Sequence, residues 1–136
     1  MTNTTEHDKL SMKRERFLAA KAYGGVLNMT PHEIVVAGVS YPPSGIVARV
    51  SETYTDIIDG VCTVNKGKVS FFSNSMKEEI PLSGYDCEGF VHIVSAMVFE
   101  VTKSWITGVW VTPATGHPGV VRNDKGHIVE VPCFLI

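Results

Sequence analysis

The sequence predicts an α+β domain: a mainly antiparallel β-sheet, one central helix over about 91–104, and an extra helix at the N-terminus. Three observations carry this expectation. Residues 7–22 are highly charged and hold a short apolar stripe at helical spacing. From residue 26 onward the apolar residues come in short β-branched runs separated by Gly, Pro and Asn. One later segment spaces its valines at helical rather than alternating intervals.

The N-terminal helix rests on Leu10, Arg14, Phe17, Leu18 and Lys21, which fall at i, i+4, i+7, i+8 and i+11. Gly24-Gly25 stops it. A solvated arm has no need of Phe17 and Leu18, so the helix is expected to dock on the body or on a neighbouring subunit. Residues 1–24 therefore read as a helical extension and 25–136 as a single α+β domain. Within the domain, Glu33–Ala37 and Gly45–Val50 read as strands. Tyr41-Pro42-Pro43-Ser44-Gly45 between them cannot continue a central strand. Val61–Val64 and Lys68–Phe72 read as strands joined through Asn65-Lys66-Gly67 as a hairpin connection. Met76–Ile80 is a further short strand, and 84–89 a loop. Val91, Val94, Val98 and Val101 share one side of the expected central helix. Trp110–Thr112 and Gly126–Pro132 read as late strands, the second preceded by an Asn123–Gly126 turn.

At 136 residues and 14.8 kDa the chain is long enough to bury a core without a disulfide or metal staple. Its net charge of −2 disfavours binding to nucleic-acid backbone. The balance is uneven. Residues 1–24 hold five Lys or Arg against three acids, and the remainder holds seven against eleven. No apolar run is long enough to span a membrane, and the polar N-terminus lacks a signal core. The three cysteines, Cys62, Cys87 and Cys133, contain no CxxC pair and read as reduced thiols.

The chemistry-bearing residues are few. The five histidines form no HxH, HxxxH or HExxH and none lies close to a cysteine, so no metal site is expected. His32, after Thr30-Pro31, is expected to fix the first strand by a backbone hydrogen bond. GxSxG, the Walker loop and GxGxxG are all missing. No cofactor and no catalytic residue is expected. Only four arginines occur, and only Arg49 and Arg122 lie in the domain. Two readings stand for them: surface arginines with snorkelling stems, or two planar forks gripping one anion. Tyr85, Phe90, Trp105 and Trp110 flank the expected central helix, where an aromatic either packs in the core or stacks on a base.

Five pieces, taken in order, resemble a known family. They are Leu27-Asn-Met-Thr-Pro-His32, Pro42-Pro-Ser-Gly45 with Ala48-Arg-Val50, Pro81-Leu82 before a glycine loop, Phe90-Val-His-Ile-Val-Ser95, and Val121-Arg-Asn-Asp-Lys-Gly126. Together they resemble a family of small phage and prophage proteins that includes the phage Thoeris anti-defence sponges. Those sponges bind the cyclic ADP-ribose signal made by a host TIR-domain enzyme. The resemblance covers about residues 26–134 and leaves the N-terminal helix outside it. It implies a homo-oligomer with ligand pockets between subunits, acting in the cytoplasm of an infected bacterium by sequestering a cyclic nucleotide without cleaving it. It also implies binding roles for Arg49 and Arg122 by motif position, for Phe90 as the stacking aromatic, and for Lys68, or Lys66 beside it, where the family has a further arginine. The family's polar amide falls near Glu100, where this chain departs from the pattern. Two other classes stay open. One is a phage structural or assembly module without a ligand. The other is a small hydrolase of a nucleotide signal using His32, His92 or His117 as base.

Overall fold

The computed structural model describes residues 6–73, 78–80 and 89–136, without the side chain of Lys66. The fold is α+β, with an N-terminal helix and a body in which most strand pairs run antiparallel. Helix α1 (Glu6–Tyr23) ends where the Gly24 and Gly25 N–H groups both bond to the Ala20 carbonyl, Gly25 at a positive φ of 85°. Strand β1 (Val26–Asn28) follows. It pairs in parallel with β7 (Val91–Ile93), which pairs in parallel with β8 (Val109–Pro113). Strand β11 (Phe134–Leu135) closes this sheet antiparallel to β8.

The two central strands, β7 and β8, are buried on both faces, which suits an apolar run without alternation. On one face Val91, Ile93 and Val111 pack with Phe17, Val26 and Phe134. On the other, Val94, Val98, Phe99 and Trp110 pack with Met29, Ala48, Val69 and Phe71. Val91 and Val94, expected on one side of a helix, thus serve opposite layers. Val91–Ile93 is a strand and the central helix is shorter than expected: α2 spans Ala96–Thr102. Ser95 sets its start, its hydroxyl accepting from the Val98 N–H.

A second sheet holds β4 (Ile46–Tyr54), β5 (Val64–Ser73) and β6 (Glu79–Ile80). The expected connection at Asn65-Lys66-Gly67 is instead the interior of β5, which runs unbroken past a register shift opposite Val50–Glu52. The chain reverses at Asp59-Gly60, with φ of 51° and 80°, between Ile58 and Val61, which exchange both backbone hydrogen bonds. Two consecutive positive φ values are what a tight two-residue hairpin turn needs, and Asp-Gly supplies them. The result is a long hairpin arm over 46–73. Residues 74–77, part of the expected strand over 76–80, lie outside the described residues, as does 84–88 of the expected loop.

Two small hairpins complete the fold. Strands β2 (Ile34–Val36) and β3 (Val39–Tyr41) turn at Ala37-Gly38. Strands β9 (Val121–Arg122) and β10 (Ile128–Glu130) turn through Asn123, whose side-chain oxygen accepts from the Lys125 and His127 N–H groups. Among the described residues no helix is long and apolar enough to cross a membrane.

Helix α1 meets the body through Phe17, whose ring centroid lies 6.0 Å from that of Phe134, and through Ala20. The Arg16 guanidinium fastens the same side to the Ile106 and Gly108 carbonyls. Leu10 and Leu18 stay exposed.

Candidate functional site

Three of the recurring sequence pieces meet at one backbone position. The Met29 N–H donates to the Ile93 carbonyl, and the Met29 carbonyl accepts from the Ala48 N–H. Residue 29 thereby links the parallel sheet to the edge of β4. The turn after it is held by Asn28, a buried amide with every polar atom in use. Its Nδ2 donates to the His32 carbonyl at 2.8 Å and to the Tyr41 carbonyl at 2.9 Å. Its Oδ1 accepts from the Thr30 N–H and hydroxyl. The Ser44 hydroxyl donates to the Asn28 carbonyl. His32 takes part through its backbone carbonyl, which any residue at this position would supply.

This knot presents Thr30, and the start of α2 presents Ser95, between two cavities. The first, about 210 Å³, is lined by Met29, Thr30, Arg49, Ser95, Met97 and Val98 among others. Arg49 is exposed on β4, and among the described residues its guanidinium has no hydrogen-bond or ion-pair partner. The second cavity, about 310 Å³, is also lined by Thr30 and Ser95. Its other polar groups are His32, Glu33, Thr112, Thr115 and Glu130, and no lysine or arginine lines it. Its walls are apolar, from Ile34, Val94 and Val131. The two cavities differ in charge: one has a free guanidinium at its rim, the other two carboxylates. An anion is attracted to the first and repelled by the second.

The remaining expected site residues lie elsewhere. Arg122 pairs across the hairpin with Ile128, which lines the larger cavity, but its Nη1 donates to the Gly126 carbonyl at 2.8 Å and braces its own turn. Phe90 is half-buried and meets His92 edge-on, with centroids 6.4 Å apart. Lys68 is exposed on β5, its ammonium 3.9 Å from the Glu79 carboxylate. None of these three lines either cavity. Arg49 lines the smaller of these two cavities, and Arg122 lines neither.

No comparison with known proteins adds to this. Protein-family models, curated proteins and solved structures all yield no match.

The histidines differ sharply in environment. His92 is fully buried, and burial pushes its pKa from 6.5 down to about 4, against the opposing effect of a hydrogen bond with the Val109 carbonyl. A ring sealed in this way cannot reach a substrate. The His117 Nδ1 accepts from the Gly119 N–H at 2.9 Å. His32 lines the 310 Å³ cavity. Among the described residues no three His, Cys, Asp or Glu side chains converge to hold a metal ion. Cys62 is exposed and Cys133 half-buried, while Cys87 lies outside the described residues.

A third, small cleft of about 60 Å³ between α1, the end of α2 and β8 is lined by Lys13, Arg16, Lys103 and Trp105. Two of its cations are engaged: Arg16 with the two carbonyls noted above, Lys103 with Glu100 at 2.9 Å.

Thr30 and Ser95 were visible in sequence as the Thr-Pro-His and Ile-Val-Ser pieces. Nothing in sequence showed that they stand side by side. The signal that could have found them is a hydroxyl residue one or two positions after a short apolar strand, Thr30 after β1 and Ser95 after β7.

Proposed function

We propose that the protein binds and sequesters a cyclic ADP-ribose-type nucleotide signal without cleaving it, as a phage-encoded sponge against TIR-dependent defence. The observation that carries this reading is the meeting of Thr30, Arg49 and Ser95, from three separate resembling motifs, around one cavity. The two hydroxyls also serve the fold, Thr30 on Asn28 and Ser95 as the cap of α2, whereas the Arg49 guanidinium on the same cavity has no partner among the described residues. The Arg49 side suits a phosphoryl oxygen through a charge-assisted hydrogen bond. The carboxylate-rimmed cavity beyond Thr30 and Ser95 suits the uncharged base and ribose, which offer donors to Glu33 and Glu130 and flat apolar area to Ile34 and Val131.

Sequestration rather than hydrolysis is favoured by the histidines. Two of the three candidate bases are out of reach: His92 is buried with its pKa pushed down, and the His117 Nδ1 accepts from a backbone N–H, which leaves a hydrolase only His32, on the larger cavity. Catalysis needs a base within hydrogen-bond reach of the reacting proton. The sponge acts as an assembly of identical copies, since one copy offers the cavity a single guanidinium while the ligand carries two phosphoryl charges. Arg122, Phe90 and Lys68 are the groups that a neighbouring copy would add.

The test is retention. The protein is incubated with the cyclic signal, freed of unbound ligand and then heated. Release of intact signal supports the proposal. Release of a linear product supports the hydrolase, and no release leaves the assembly module.

A further inference from the structure

The tip of the β4–β5 hairpin carries apolar side chains that no described residue covers. Ile57 is 76% exposed, Ile58 and Val61 are each 68% exposed, and Tyr54 and Val64 flank them, also exposed. A lone exposed leucine or valine needs no explanation, but five such residues on one projecting arm mark a contact surface. The outer part of the arm is also of one charge sign. Residues 52–64 contain Glu52, Asp56 and Asp59 and no lysine or arginine.

Helix α1 offers the opposite pattern. With Phe17 and Ala20 turned to the body, Leu10 and Leu18 remain exposed, and Arg14 and Lys21 lie on the same stripe at i+4 and i+11 from Leu10. Over Glu6–Tyr23 five Lys or Arg outnumber three acids. An apolar, acidic arm and an apolar, basic helix stripe on the same chain are complementary in both respects.

We propose that the hairpin arm of one copy docks on helix α1 of another, with Ile57, Ile58 and Val61 against Leu10 and Leu18, and Asp56 and Asp59 facing Arg14 and Lys21. This builds on the proposed self-association and is independent of what ligand the protein binds. It gives the N-terminal helix, which the family resemblance does not reach, a function as the receptor for the arm. It also explains why α1 docks on its own body by only one side.

The test uses the full chain. Mass by light scattering is measured across concentration for the wild type and for an Ile58→Asp, Val61→Asp variant, with thermal melts as fold controls. Both side chains are exposed at the turn, so the fold should hold. A Leu18→Asp variant provides the same test from the helix side. The wild type should show a multiple of 14.8 kDa, and each variant should dissociate at roughly tenfold or more higher concentration. Contacts are then read directly. Isotope-labelled and unlabelled protein are mixed and treated with a thiol–amine cross-linker acting from the exposed Cys62. Links joining Cys62 of one isotope to Lys9, Lys13 or Lys21 of the other support the proposal. A monomeric wild type overturns both the assembly and the arm contact. An assembly whose mass is untouched by the variants at both sites overturns the arm contact alone.

Discussion

The His92 imidazole lies almost flat on the Trp110 indole, with ring centroids 4.2 Å apart and planes 16° apart. The two residues face each other across the parallel β7–β8 pair, where the register matches His92 with Trp110. The stack places a titratable ring in the main core layer, between Phe90 and the indole that Phe71 and Trp105 also touch.

A pH dependence of stability follows. The folded state keeps His92 neutral down to about pH 4, while the unfolded chain protonates it near 6.5. Between these values the unfolded state binds more protons, so stability is complete above about pH 6.5 and falls as pH drops toward 4. The loss between pH 7.5 and 5 should be about 2 kcal/mol, read from urea unfolding. His92→Phe keeps the stack and removes the proton, so its stability should change much less over that interval. An identical pH profile in the variant would show that another group controls it.

Asn28 is the second structural hinge. Asn28→Ala leaves the His32 and Tyr41 carbonyls without their donor and frees Thr30, at a cost of about 2–4 kcal/mol. Asn28→Asp should fare no better, because a carboxylate cannot donate to two carbonyls. Thermal melts of both variants should show large losses, and a melt of either within a degree of wild type would remove Asn28 from this role.

Helix α1 provides a contrast within one element. Phe17→Ala removes the ring packed on Phe134 and should cost about 2–3 kcal/mol. Leu18→Ala, at an exposed neighbouring position, should alter the stability of the isolated chain by less than about 0.5 kcal/mol. Denaturation at low protein concentration separates the two, and equal effects would mean that the helix packs in another rotation.

Much of the architecture was legible because local chemistry and tertiary structure agree. The helix stop at Gly24-Gly25, the Asn123–Gly126 turn and the break at Pro42-Pro43 all appear where the backbone required them. Two elements misled for physical reasons. Valines at 91, 94, 98 and 101 satisfy a helical period, yet a strand buried on both faces also shows uninterrupted apolar residues, and period alone cannot separate the two. Asn65-Lys66-Gly67 has the composition of a turn, but Gly67 lies beside Ser51 at the register shift inside the β4–β5 pair, and Asp59-Gly60 reverses the chain.

The site was less legible than the fold. Arg49 stands out in sequence as an arginine inside an apolar run, and it lines a cavity. Arg122 stands out as the only other arginine of the domain, just before a turn, but spends a donor on Gly126, a local bond that no long-range pattern reveals. Thr30 and Ser95 are small hydroxyl residues of common type, and only the β1–β7 pairing brings their segments together.

The central claim is that Arg49 grips a phosphoryl group of a cyclic nucleotide signal beside Thr30 and Ser95. Calorimetric titration of the wild type, Arg49→Ala and Arg49→Lys with a cyclic ADP-ribose-type signal tests it most directly, with melts confirming that each variant is folded. The wild type should bind at about nanomolar strength. Arg49→Ala should weaken binding by roughly ten- to a hundredfold, the worth of about one charge-assisted hydrogen bond. Arg49→Lys should restore only part of this, because an ammonium lacks the planar fork. No binding by the wild type, or unchanged affinity in a folded Arg49→Ala variant, would contradict the account.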